Sequence, residues 1–207
     1  MLKILGRSSS INVRKVLWLC AELDLPFEQE MWGAGSRSTA EPEFLALNPG
    51  GLIPVVCDGD FVLWDSNAIC RYLTAKQDRN DLLPEDLQRK ALVEQWMDWT
   101  STELNGAWRY AFLGLVRKNP ACSDAAAIAA SIESWNRLMG IVDAHLAKTG
   151  AYITGKDFTL ADIVLGLATH RWKLSPIKRP DYPALAAYYE RLCRRPAFQS
   201  QSWGDTP

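Results

Sequence analysis

The chain has 207 residues, of which 48% are hydrophobic and 23% charged, and its formal net charge is -1. This composition predicts a folded core, and the balanced charge argues against nucleic acid or an anionic membrane surface as the main partner. No apolar run approaches the roughly 18 residues that a membrane-spanning helix needs, and the N-terminus lacks the apolar region of a signal peptide. We therefore expect a cytoplasmic protein.

Strand and helix signals alternate over residues 1–79. The elements predicted there, in chain order, are a strand at 3–6, a helix at 13–23, a strand at 27–32, a helical turn at 41–47, strands at 55–57 and 61–63, and a helix from 65 or 66 to 76. The first strand, helix and strand predict a parallel, right-handed unit. Asp58-Gly59 between the last two strands is a strong hairpin signal.

The pattern changes after a polar segment at residues 77–85, which we interpret as a linker. Helical periodicity without strand alternation follows at 86–118, 124–148, 159–172, 183–194 and 197–203. The predicted fold class is therefore an α/β domain over residues 1–79 followed by an all-α domain over residues 80–207.

One local signal in the helical half is specific. Thr159-Leu160-Ala161-Asp162 has the spacing of a capping box, in which a side chain three residues into the helix returns to the backbone of the cap residue. Phe158 and Ile163 have the spacing of a hydrophobic staple around it. We interpret this segment as a folding element without a chemical role.

Metal and cysteine chemistry have little support. The five cysteines are scattered and form no Cys-x-x-Cys pair, which is typical of reduced thiols in a cytosol. His145 and His170 have no cluster of cysteines or carboxylates at metal-ligand spacing beside them, so no metal site is predicted.

Residues 48–69 contain two polar features that a ligand can use. A proline cannot donate to a strand ladder, so Pro54 marks a strand start, and a cis bond there would turn the backbone of Ile53 outward. Proline frequencies alone favour a trans bond. Asp65 and Ser66 stand where a helix should begin, and helix capping alone would explain both. The alternative is that Ser66 and free backbone N–H groups bind a ligand carboxylate, while Asp65 binds an ammonium.

Three serines, Ser8, Ser9 and Ser10, precede the first helix and suit its N-terminus as caps. No Gly-x-Ser-x-Gly segment is present and neither histidine stands in a recognisable relation to these serines, so a serine hydrolase is poorly supported. A serine hydroxyl can, however, donate a hydrogen bond to a thiolate that a substrate brings.

Taken in order, these motifs resemble the cytosolic glutathione transferases. The matching segments, which together cover nearly the whole chain, are residues 6–16, the Asn-Pro-Gly-Gly-x-Ile-Pro turn at 48–54, residues 65–69, residues 155–162 and residues 195–198. The resemblance implies a thioredoxin-like N-terminal domain, an all-helical C-terminal domain and usually a homodimer. It also implies glutathione as co-substrate, with no other cofactor.

The resemblance assigns residues to the sulfur and to the cysteinyl part of glutathione. By position, Ser10 would donate its hydroxyl to the glutathione sulfur. Asn12 matches an asparagine found near the sulfur in some bacterial branches that favour disulfide reduction. Ile53, before the family's cis-proline at Pro54, would bind the cysteinyl main chain as an added strand.

The ends of glutathione are assigned with some departures from the family pattern. Asp65 and Ser66 would bind the γ-glutamyl ammonium and carboxylate, although many members carry Glu in place of this aspartate. Asn67 stands where other members sometimes have Arg. Residues 51–52 lack the Lys or His that often binds the glycyl carboxylate, and Arg37 in the preceding loop is our candidate to replace it.

The second substrate is expected to be a small hydrophobic electrophile in a pocket between the domains, as ligand sites often are. The long helix at residues 86–118 is rich in aromatic residues, most of which we expect in the core. Trp108, Arg109 and Phe112 are the candidates for the pocket wall.

Three functions fit the resemblance. The leading one is conjugation of glutathione to the electrophile. The second is glutathione-dependent reduction of small disulfides or peroxides, which Asn12 beside Ser10 suggests. The third is a non-catalytic interaction module, since this fold also serves translation and transcription factors. A cysteine-type enzyme is disfavoured, because no cysteine occupies positions 8–10.

Overall fold

The computed structural model describes residues 1–201, and in it the chain divides into two units. Met1–Leu83 and the C-terminal helix at Pro196–Ser200 form the first unit, and Pro84–Arg195 forms the second. The boundary lies four residues beyond the predicted one at 79, because the polar segment after the last helix of the first unit ends on the buried residues Leu82 and Leu83. The last helix was predicted to reach residue 203, and residues 202–207 lie outside the described part of the chain.

A four-stranded mixed sheet is the centre of the first unit. Its elements are β1 (Leu2–Leu5), α1 (Ile11–Glu22), β2 (Phe27–Glu30), α2 (Pro42–Leu47), β3 (Val55–Asp58), β4 (Phe61–Trp64) and α3 (Ser66–Lys76). The strand order is β2-β1-β3-β4, with β1 parallel to β2, and with β3 antiparallel to both of its neighbours. The predicted parallel pairing of the first two strands and the predicted hairpin are confirmed, and Gly59 in the hairpin turn has a positive φ of 62°.

Helix α1 contains a long continuous buried segment. All eight residues from 13 to 20 are buried, including the charged Arg14 and Lys15. The closing helix α9 (Pro196–Ser200) returns to α1, where Phe198 meets Trp18 edge to face with ring centroids 4.9 Å apart. The periodicity of residues 197–203 predicted a helix, but it carried no signal that this helix belongs to the first unit.

The second unit is entirely helical within the described residues. Its helices are α4 (Leu87–Trp99), α5 (Asn105–Leu115), α6 (Ala125–Thr149), α7 (Leu160–Leu174) and α8 (Pro183–Cys193), with a short 3-10 turn at Pro120–Cys122. A π-helical turn, Thr100–Leu104, joins α4 to α5, so the helix predicted as one piece at 86–118 continues through a change of hydrogen-bond pattern. Residues 160–172 of α7 are all buried, which marks α7 as the central helix.

The predicted capping box at the start of α7 is present. Asp162 is fully buried, and its carboxylate accepts hydrogen bonds from the backbone N–H groups of Ile153 and Thr159 at 2.9 Å each. The Thr159 hydroxyl donates a third bond to the same carboxylate at 3.1 Å. Burial raises the pKa of Asp162 to about 6, although these hydrogen bonds oppose the shift.

Over residues 1–201, no helix is both long and apolar enough to cross a membrane. The same residues contain no group of three or more His, Cys, Asp or Glu side chains arranged to hold a metal ion.

Candidate functional site

Ser10 occupies the N-cap of α1 without acting as a side-chain cap. Its backbone N–H donates to the Arg7 carbonyl at 3.1 Å, and its carbonyl accepts from the Arg14 N–H at 2.9 Å. Its hydroxyl makes no capping hydrogen bond. The two preceding hydroxyls differ, because Ser8 pairs with the Gln29 side chain and Ser9 accepts from the Arg7 guanidinium at 3.1 Å. Capping therefore does not account for the Ser10 side chain.

Glycine at position 6 lets three segments meet beside Ser10. Gly6 follows β1 with φ of 148°, and a Cβ there would lie 2.6 Å from Val13 Cγ2 and 3.1 Å from the Ile53 Cβ. Any larger residue would push α1 and Ile53 apart, since real Cβ atoms do not approach so closely. The start of α1 and the segment before β3 are thus held next to each other.

Ile53 presents backbone groups that the fold leaves unused. Its peptide bond with Pro54 is cis, as the resemblance implies and contrary to the expectation from proline frequencies. Among the described residues, neither the N–H nor the carbonyl of Ile53 has a hydrogen-bond partner. Backbone groups of this kind are normally paired, so water or a ligand must supply the partner.

The turn before Ile53 is fixed by Asn48, which is 3% exposed. Its amide donates to the Leu52 carbonyl at 2.8 Å and accepts from the Gly50 N–H at 2.9 Å. Its own carbonyl accepts from the Gly51 N–H at 3.0 Å, and Gly51 has φ of 61°. In the sequence Asn48 is only part of a turn signal, but in the structure it fixes the turn that positions the backbone of Ile53.

Asp65 is the N-cap of α3 and has an unusual backbone conformation, with φ of 73° and ψ of 120°. Its Oδ1 accepts from the N–H groups of Asn67 at 3.0 Å and Ala68 at 2.9 Å. The capping interpretation therefore holds for one carboxylate oxygen. No partner of Oδ2 is found in the described part of the chain, and the residue is exposed. Such a non-glycine outlier at a helix start is a feature of ligand sites.

A buried lysine that was not among the predicted site residues lies behind the first residues of α3. Lys15, on α1, is 3% exposed, and its Nζ lies 3.4 Å from Ser66 Oγ and 3.2 Å from Asn67 Oδ1. Lysine is almost never fully buried unless it is paired. The only signal in the sequence was that Lys15 directly precedes the apolar run at residues 16–20. Lys15 links α1, whose N-cap is Ser10, to α3, which begins at Ser66.

Arg37 lies in a different environment from these residues. Its guanidinium pairs with Glu41 at 3.2 Å and with Glu43, and it stacks over the Trp32 ring at 3.9 Å. The Arg37 guanidinium is therefore already paired with two carboxylates. A role for Arg37 at the glycyl carboxylate stays a prediction.

The three residues predicted for the electrophile pocket differ in exposure. Trp108 and Phe112 are 8% and 4% exposed, and their rings meet edge to face 5.4 Å apart. The Arg171 guanidinium of α7 lies over both rings, at 4.5 and 4.0 Å from their centroids. Only Arg109 is exposed. The role of these residues as a pocket wall stays a prediction.

The cysteines offer no nucleophile beside Ser10. Cys20 and Cys70 are buried, and burial raises the pKa of each thiol to about 12. Thiols with such pKa values are almost entirely protonated near neutral pH and react slowly. Within the described residues, the start of α1 therefore offers hydroxyls and no thiolate.

Comparisons with known proteins agree with this arrangement. Family models described as the N-terminal and C-terminal domains of glutathione S-transferase match residues 9–76 and 125–191. Glutathione S-transferase GstB of Escherichia coli is 38% identical over 201 residues, which is 96% of each chain. The glutathione-bound crystal structure of the theta class glutathione S-transferase from Xanthomonas axonopodis pv. citri superimposes with a TM-score of 0.90 at 40% identity, covering 97% of this chain and 96% of that one.

A relative with another role is also similar. Elongation factor 1-gamma 2 of Oryza sativa subsp. japonica is 34% identical over 168 residues, which cover 78% of this chain and 39% of that protein. The family models, by contrast, account for both halves of the chain, and the bacterial relatives match it from end to end. The chain belongs to the glutathione S-transferase family.

Proposed function

We propose that this protein is a glutathione transferase in which the Ser10 hydroxyl donates a hydrogen bond to the glutathione sulfur. The observation that carries the proposal is the Ser10 side chain, which stands at the N-terminus of α1 and makes no capping hydrogen bond. A donor left open at a helix start is suited to an anion, and the thiolate is the reactive form of glutathione. Ser10 acts as a donor and forms no covalent bond.

The strength of this interaction is sufficient for the task. A hydrogen bond to a charged group contributes about 1.5–3 kcal/mol, and one pKa unit corresponds to about 1.4 kcal/mol. Ser10 would therefore lower the thiol pKa from about 8.5 to roughly 7. The partial positive charge of the α1 N-terminus adds about 0.3–1 kcal/mol. Thiolate would then be abundant at neutral pH without a base or a metal.

The remaining contacts follow the length of the tripeptide. The unpaired backbone groups of Ile53 would bind the cysteinyl main chain as an added strand next to Pro54. The free Oδ2 of Asp65 would bind the γ-glutamyl ammonium, and the Ser66 hydroxyl would bind the neighbouring carboxylate. The second substrate would be a small hydrophobic electrophile, with Arg109 as the exposed candidate at its site.

The proposal is tested by measuring glutathione binding with calorimetry and conjugation of glutathione to an aryl chloride by absorbance. We expect binding at micromolar to millimolar glutathione and a conjugation rate above the uncatalysed one. Absence of heat at millimolar glutathione would contradict the enzyme and favour the interaction module, for which the elongation factor relative is the precedent.

Disulfide reduction is the second candidate, and Asn12 favours it. Asn12 lies in the first turn of α1, two residues after Ser10, and its amide has no partner in the part of the chain that the structure describes. An amide in this place can donate to a sulfur of a mixed disulfide. A disulfide-reductase rate that exceeds the conjugation rate by orders of magnitude, and that falls in Asn12→Ala, would decide for this activity.

A homodimer is part of the proposal. Strand β4 is an edge of the sheet, and it exposes Phe61 and Trp64 by 49% and 48%. Exposed edges with large apolar side chains are commonly covered by a partner. Light scattering on the purified protein should give twice the mass of the 23.2 kDa chain, and a monomer would contradict this part.

A further inference from the structure

The start of α3 has fewer free donors than a helix N-terminus usually offers. Asp65 Oδ1 already accepts from the N–H groups of Asn67 and Ala68. The same carboxylate offsets part of the positive end of the helix dipole. A second carboxylate, from a ligand, would meet a like charge there. A positive charge close to Ser66 would therefore strengthen the binding of an anion there.

Lys15 lies in the position to supply that charge. Its ammonium is 3.4 Å from Ser66 Oγ and 3.2 Å from Asn67 Oδ1, and the residue is 3% exposed. A charge so far from water keeps a strong field, because little solvent screens it. Its burial also opposes folding, since the ammonium loses its hydration. The ammonium lies one hydroxyl group away from any anion that Ser66 binds.

The direction of the hydrogen bonds adds a second effect. An ammonium has three donors and no acceptor, so Ser66 Oγ must accept from Lys15. The Ser66 proton is then available for a different acceptor, and a hydroxyl that accepts from a cation becomes a stronger donor. Lys15 in this way makes Ser66 a donor directed to an anion.

We propose that Lys15 is a positioning residue for the γ-glutamyl carboxylate of glutathione, which it holds through Ser66 and through its own positive charge. This inference rests on the proposed function. Asp65 and Lys15 then form a pair of opposite charges at one helix start, complementary to the ammonium and carboxylate of an amino-acid end. The site is selective for a zwitterion, and a ligand that lacks the carboxylate gains nothing from Lys15.

The test compares Lys15→Met with Lys15→Arg in the full-length protein. The probes are glutathione and its analogue without the γ-glutamyl α-carboxylate, 4-aminobutyryl-cysteinyl-glycine. In Lys15→Met we expect the Kd and KM for glutathione to rise about 10-fold, the loss of one charged hydrogen bond. We expect kcat at saturating glutathione to change less than about twofold, since the sulfur contact is intact. The analogue should bind both proteins equally, and Lys15→Arg should retain most of the glutathione affinity.

Lys76→Met is the matched control. Lys76 also belongs to the first unit, but it ends α3 about 15 Å along the helix from Ser66, at a rise of about 1.5 Å per residue. Its loss removes the same formal charge and should leave the glutathione KM unchanged. Lys15→Met also removes the hydrogen bonds to Ser66 and Asn67, so its free energy of unfolding is expected to fall. Thermal unfolding gives the temperature range in which each variant is folded, and the affinities are measured within it.

Two outcomes would overturn the proposal. An unchanged glutathione affinity in Lys15→Met would remove the residue from the site. An equal loss of affinity for glutathione and for the analogue would show that Lys15 acts through packing of α1 against α3. Glutathione binding by the unaltered protein distinguishes these outcomes from failure of the proposed function. If the unaltered protein binds no glutathione, both the proposed function and this inference are overturned.

Discussion

Two aspartates at helix starts, Asp65 in the first unit and Asp162 in the second, show how one residue type is used in two ways. Asp162 is fully buried, and three donors occupy its two oxygens. Asp65 is exposed, and in the described residues only its Oδ1 is occupied. Polar groups that are completely satisfied inside the chain support the fold. Polar groups at the surface that still have an unused donor or acceptor are where a ligand can bind.

The Ser10 hydroxyl, open like the second oxygen of Asp65, should have the largest effect on activity. Ser10→Ala is expected to lower kcat/KM for conjugation about 100- to 1000-fold, the usual cost of removing one donor to a developing or resident anion. Stability should stay within about 0.5 kcal/mol, because the hydroxyl caps nothing.

Ser9→Ala is the control for Ser10→Ala, since Ser9 is adjacent and already bonded to Arg7. Steady-state kinetics of the two variants would contradict the assignment if both lost activity alike, or if Ser10→Ala lost none.

Asp162→Ala should have the largest effect on stability. It leaves the buried N–H groups of Ile153 and Thr159 without an acceptor, so the free energy of unfolding should fall by about 3 kcal/mol. Asp124→Ala, which removes an exposed cap of α6, should cost only about 1 kcal/mol. Urea unfolding measures both costs. Equal costs would show that the fully hydrogen-bonded, buried carboxylate of Asp162 stabilises the fold no more than an ordinary helix cap does.

Asp65→Asn separates the two uses of Asp65. Asparagine can keep the cap through its amide oxygen and tolerates positive φ, so stability should change by less than about 0.5 kcal/mol. The lost charge should raise the glutathione KM about 10-fold if Oδ2 binds the ammonium. Asp86→Asn at the cap of α4 is the control and should leave KM unchanged. A destabilised variant with unaltered KM would make Asp65 a cap only.

The smallest expected effect is a pH dependence at Asp162. Its pKa in the folded protein, about 6, lies above the ordinary value because burial disfavours the charge. The folded state therefore binds this proton more tightly than the unfolded chain. The resulting stability is complete below pH of about 4 and is lost as the pH rises through about 6.

Asparagine does not titrate, so Asp162→Asn should cost more stability at pH 4.5 than at pH 7.5. Urea unfolding of both proteins across this range is the measurement. A cost that grows with pH would indicate that the three hydrogen bonds outweigh burial and hold the carboxylate ionised.

Local signals were sufficient for most of the fold. Apolar spacing predicted α1 and the helices of the second unit, Asp58-Gly59 predicted the hairpin, and Thr159 with Asp162 predicted the capping box. Each of these signals is contained within a few residues. The motif order then identified the family, and with it the places to look for a site.

Contacts between distant residues were beyond the sequence. Lys15 and Ser66 are 51 positions apart, and periodicity cannot show that a lysine on α1 reaches the start of α3. Arg171 lies over Trp108 and Phe112 from another helix, so their spacing on α5 did not reveal how fully they are buried. The open state of the Ser10 hydroxyl depends on its rotamer, which sequence does not specify.

The π-helical turn Thr100–Leu104 has a consequence for how the second unit tolerates change in chain length. There the Asn105 N–H reaches back five residues to the Thr100 carbonyl, one further than in an α-helix. Deleting one residue from this turn would allow the helical segment from Leu87 to Leu115 to adopt regular α-helical hydrogen bonding throughout. Everything beyond it would then keep nearly its present rotation about the helix axis, because the wide turn already accommodates the extra residue, and Trp108 would stay in the interior. The second unit should therefore tolerate loss of one residue at this turn better than loss of one residue inside α5, where the positions beyond the deletion would rotate by about 100°.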